Sequence, residues 1–106
     1  MQYSMTSVIA TREMTWKHKD GSETPVIVSL GPPLPRFSEV NEPADWYCTF
    51  QIVGLGDETV RAVFGADGIQ AILLALMTAG KIVAASPPGR HGELDWKEVP
   101  NFGFPQ

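Results

Sequence analysis

Hydrophobic and polar positions change period along this chain, and the changes mark its elements. From Val8 to Trp16 they alternate, with Val8, Ala10, Met14 and Trp16 on one face and Thr11 and Glu13 on the other. This is the period of a strand, and Arg12 interrupts its apolar face, which places that stretch near a sheet edge. The Asp20-Gly21 pair then signals a tight reversal, because glycine accepts the positive φ such a turn needs. "TPVIVSL" gives a second strand with Pro25 at its start, so the two form a hairpin. Residues 31–45, "GPPLPRFSEVNEPAD", carry four prolines and predict a surface connection rather than a ladder or helix.

Trp46 to Val53 alternates most clearly, with Trp46, Cys48, Phe50 and Ile52 on one face. Thr59 to Phe64 is a shorter strand, and "GLGDE" lies between the two. A dinucleotide-type phosphate loop needs a third glycine and a following helix. This stretch has neither, and its two carboxylates would repel phosphate, so it is a hairpin turn. After Gly65 the period becomes helical. Asp67 is a suitable N-cap, and Gln70 three residues later completes a capping box. Ile69, Ile72, Leu73, Leu76 and Val83 make a stripe expected to lie on the sheet. On the opposite side fall Ala71, Leu74, Ala75, Thr78 and Ile82, where a charged face is expected and only Thr78 is polar. "ELDW" suits a short final strand, and Phe102 and Phe104 follow in a turn-rich tail.

These elements predict a two-layer α+β domain spanning residues 1–106: a four-stranded, mostly antiparallel sheet with one long helix packed on one face. A chain of 106 residues buries enough surface to fold without metal or disulfide support. Net charge −4, with basic residues scattered apart from "KHK", argues against nucleic-acid binding. No secretory signal pattern opens the chain, and the apolar run Ala71–Met77 is too short to span a bilayer, so a cytoplasmic protein without a membrane partner is expected. A single cysteine excludes an internal disulfide and a multi-cysteine zinc site. No metal set and no cofactor motif stands out.

The segments W-x-C, "GLGDE", "GADGIQAILLAL", "LDW" and "GFP" resemble a family of small bacterial single-domain proteins known as a domain of unknown function. The resemblance covers roughly residues 8–105. It implies a bacterial, stand-alone domain and carries no activity and no catalytic residues.

Chemistry is sparse. Cys48 shares its strand face with Trp46, Phe50 and Ile52, which reads as core, and His18 and His91 lie in turn-rich stretches without ligand spacing. Arg61 sits within a strand, where it pairs with Asp45 or Glu58 or holds an anion. Three functions are in view. The first is a non-enzymatic protein-interaction module, self-associating as a homodimer through Ala71, Leu74, Ala75, Thr78 and Ile82 on the back of the helix. The second is a small-molecule binder with a pocket between the helix, the proline-rich stretch and Trp46, Asp57 and Arg61 being its candidate polar contacts. The third is an enzyme using Asp57, Arg61 and a histidine.

Overall fold

In the computed structural model, residues 3–5, 7–37 and 43–106 are described. Five strands form one antiparallel sheet: β1 (Ala10–Lys17), β2 (Glu23–Phe37), β3 (Pro43–Val53), β4 (Arg61–Gly65) and β5 (Leu94–Asp95). Their order is β4-β3-β2-β1-β5. The expected α+β class holds, with a fifth strand supplied by Leu94 and Asp95, which pair with Trp16 and Thr15. Helix α1 (Gly68–Ala85) follows β4, and the short α2 (Pro87–Arg90) leads to β5.

The β1–β2 hairpin closes from Lys17 and Glu23 through Gly21, whose φ of +90° favours a residue without a Cβ. Register places Ala10, Arg12, Met14 and Trp16 on one face with Val26, Val28, Leu30, Cys48, Phe50 and Ile52. This face is the core side, where Met14, Val26, Cys48 and Phe50 are fully buried.

The proline-rich stretch departs from expectation. Residues 31–37 continue β2, and Pro33, Leu34, Pro35 and Arg36 pair with Cys48, Tyr47, Trp46 and Asp45. The ladder tolerates the prolines because β1 ends opposite Leu30, so beyond it one side of β2 has no strand partner among the described residues. Pro33 and Pro35 share one parity, so their missing donors fall on a single side of the strand. The rest of the expected connection, residues 38–42, lies outside the described residues.

Two segments cover the core side. α1 lies over β2, β3 and β4. The chain after β5 returns beside it over β1, where Phe104 is buried. Arg12, the charge on the apolar face, is accommodated there. Its guanidinium lies 3.9 Å from the Trp96 ring centre and donates to the Phe102 carbonyl at 3.0 Å. Gly80 sits inside α1, and Phe104 packs on it: a Cβ there would approach Phe104 Cβ to 2.6 Å.

The helix meets the sheet by an arc rotated from the one expected. Of the expected stripe, Val83 is fully buried and Ile72 and Leu76 pack on the core, but Ala71, Ala75 and Ala79 are fully buried as well, whereas Ile69 is 79% and Leu73 46% exposed. Volume explains this rotation. The sheet already contributes Phe50, Met14 and Val26, so a stripe of small residues at i, i+4 and i+8 lets the helix approach closely. Gly65 lies beneath Ala71, and a Cβ on Gly65 would stand 2.6 Å from the Ala71 nitrogen.

Candidate functional site

At the start of α1, Asp67 caps the helix as expected, its Oδ1 accepting from Gln70 N at 2.8 Å. Gln70 Oε1 accepts from Ala66 N, one residue before the cap amide that a capping box would use. The helix start rests on Pro33 and Trp46, and a Cβ on Gly68 would stand 3.5 Å and 3.6 Å from them, ordinary packing distances. The space assigned to a pocket between helix, proline-rich stretch and Trp46 is therefore occupied at this point by contact.

Asp57 and Arg61 lie at the other end of the helix. Arg61 pairs in register with Phe50, four residues along β3 from Trp46, a separation of roughly 13 Å at strand rise. The structure thus brings Asp57 and Arg61 together and leaves Trp46 apart. Arg61 Nη2 donates to Asp57 Oδ2 at 3.0 Å, so its partner is neither Asp45 nor Glu58. Asp45 instead accepts two bonds from Arg36, both at 2.8 Å, and Glu58 accepts from Gly54 N at 3.2 Å. Asp57 Oδ1 takes the hydroxyl and amide of Thr59, and these bonds, chiefly the hydroxyl one, hold its carboxyl below the usual carboxylate range. The "GLGDE" stretch is a hairpin connection as expected, but its acids stiffen the loop, and β4 begins only at Arg61.

A groove of about 320 Å³ opens between this loop and the end of α1. Ile52, Leu55 and Ile82 contribute its apolar wall, and Asp57, Thr59, Arg61 and Ser86 its polar groups. Neither histidine lines it. His18 stacks on Trp16 at 4.4 Å and shares a 2.7 Å hydrogen bond with Thr24, and His91 lies 3.9 Å from Glu93. Cys48 Sγ donates to the Gly31 carbonyl at 3.4 Å, and burial raises the thiol's pKa. Among the described residues no three or more His, Cys, Asp and Glu side chains gather as metal ligands would.

The residues expected to form a self-association face are placed elsewhere. Ala71 and Ala75 are in the core, and Leu74, Thr78 and Ile82 are half-buried at its flanks. What α1 shows to water is Ile69, Gln70, Leu73 and Lys81, with half-buried Met77 and exposed Ala84 continuing the same side. Periodicity identifies the helix but not the arc that meets the sheet, which takes Val83 from the expected stripe and Ala71 and Ala75 from its back. The signal that decides it is the alanine repeat at positions 71, 75 and 79, read together with the bulk of the strand residues. As a whole, α1 has 18 residues and a mean hydropathy of 1.7, long and apolar enough by length and composition to cross a membrane, which the run Ala71–Met77 alone is not. Here the helix is packed on a sheet.

Among known families, one matches residues 10–106, which is nearly the whole chain and every strand and helix described above. The chain belongs to the domain-of-unknown-function family DUF6968. No curated protein and no solved structure matches it. The function of this DUF6968 domain is therefore to be sought on its own surface: a polar-rimmed groove at one end of α1 and an uncovered apolar stripe along its outside.

Proposed function

We propose that this domain is a non-enzymatic protein-interaction module, bacterial and cytoplasmic, whose contact surface is the outer face of α1. The observation that carries the reading is Ile69, 79% exposed, followed one turn later by Leu73 at 46%. A surface helix ordinarily turns charge to water. Apart from exposed Gln70 and Lys81, the one charged residue of α1, the outer face is apolar and would gain from a partner. Polar satisfaction in the fold supports a stable platform: no buried side-chain nitrogen or oxygen lacks a hydrogen-bond partner among the described residues.

The groove beside Asp57 and Arg61 favours a second reading, a small-molecule binder. Its volume of about 320 Å³ falls at the lower end of ligand sites. The ion pair at its rim already satisfies both charges, which weakens it as a recognition element. The reading of an enzyme built on Asp57, Arg61 and a histidine has less support, because neither histidine lines the groove.

A photo-reactive residue in place of Leu73, irradiated in the cells that produce the protein, tests the first reading. A discrete cross-linked species is expected from position 73 and none from Glu13, which is exposed on the opposite sheet face. Equal or absent cross-linking at the two positions would overturn it.

A further inference from the structure

We infer that the occupant of this face is a second copy of the chain, its α1 antiparallel to the first about a two-fold axis, with each Ile69 seated beside the other's Gly80. This rests on the contact-surface reading above and names its partner.

The shape of the face is self-complementary. At its first turn Ile69 projects, 79% exposed. Toward its end a groove of about 200 Å³ runs between α1 and the tail. Met77, Gly80, Lys81 and Ala84 form its helical side, and Asn101, Phe104, Pro105 and Gln106 its far side. Those four helix positions have the spacing i, i+3, i+4 and i+7, the four-residue hole that receives a knob from a facing helix. Gly80, lacking a side chain, lets Phe104 close against the helix and wall one side of the hole. Knob and hole lie eleven to twelve residues apart, roughly 17 Å along the axis. A two-fold axis at the level of Ala75 brings Ile69 opposite the partner's hole and Leu73 opposite the partner's Met77, and repeats both contacts by symmetry.

Charge selects the same orientation. Exposed Asp67 at the helix start comes within a turn of the second copy's Lys81, the one charged residue in α1, and the two helix dipoles oppose. A parallel pair would set Lys81 against Lys81 and Ile69 against Ile69. A lipid surface is the poorer occupant, because a chain of net charge −4 that shows one lysine on this face is not drawn to anionic headgroups.

Sedimentation equilibrium at micromolar concentration and oxidative cross-linking of paired cysteine variants test the inference together. Wild type is expected to sediment as a dimer. Ala84→Trp, a change at an exposed position that fills the hole, should weaken dimerisation by about tenfold or more while the far-ultraviolet spectrum is kept. Gln70→Cys mixed with Lys81→Cys should cross-link unlike variants, and Gln70→Cys alone should not cross-link. Cross-links from Gln70→Cys alone, or an unweakened Ala84→Trp dimer, would overturn the geometry. A monomeric wild type would overturn the second copy itself. In that case a species cross-linked from position 73 to a different protein keeps the contact-surface reading, and loss of both removes it.

Discussion

Cys48 shows how much the neighbours of a single residue reveal about it. Trp46, Phe50 and Ile52, at alternate positions of the same strand, put it on an apolar face, and in the fold it is fully buried with only the Gly31 carbonyl as an acceptor outside its own strand. Burial raises its pKa, because loss of hydration disfavours the thiolate. A thiol-specific reagent should therefore label the native protein far more slowly than the denatured protein. For an acid whose folded pKa is raised, the contribution to stability is whole below the ordinary thiol value of roughly 8.5 and is lost as pH rises through the folded value. Urea midpoints should accordingly fall on the alkaline side of that value in a way that Cys48→Ala removes. Native labelling as fast as denatured labelling would contradict the burial. Arg61 is harder to read from its neighbours. Strand parity gives its face, but three carboxylates lie within reach in sequence, and only the loop's path through Thr59 selects Asp57.

At the scale of elements, strands and helix are legible because their periods depend on residues close in sequence, whereas the contacts between elements are not. The long alternation at Trp46–Val53 and the Asp67–Gln70 cap both appear where residue spacing puts them. Prolines 32, 33 and 35 argue against a ladder, but whether a missing donor matters depends on what lies beside the strand, and β1 stops at the point where they begin. The helix is rotated on the sheet for a similar reason: hydrophobicity alone ranks leucine above alanine for burial, while packing against bulky strands rewards the smaller side chain. Gly80 makes the point testable. Alanine in mid-helix should add about 1 kcal/mol of helix preference. It would also drive a Cβ into Phe104, whose displaced ring forfeits about 2–3 kcal/mol of burial. Loss of packing should win, so Gly80→Ala is expected to lower unfolding free energy by about 1–2 kcal/mol and to speed amide exchange in residues 100–106. A more stable Gly80→Ala protein would show that the tail does not depend on this contact.

At the scale of the whole molecule, the core side of the sheet is closed by α1 and the tail, while the outside of α1 ends in side chains that water does not favour. The Asp57–Arg61 groove, by contrast, satisfies its own charges. The proposed function therefore turns on whether the outer face of α1 is covered where the protein works. Hydroxyl-radical footprinting in intact cells measures that directly, with an internal standard in the same chain. If the chain stands alone, Ile69 at 79% exposure should react more readily than Val8 at 50% and Ile9 at 53%, and Leu73 at 46% nearly as readily as those two. A covered face predicts strong protection of Ile69 and Leu73 while Val8 and Ile9 are modified; oxidation of all four in proportion to their exposure would contradict it.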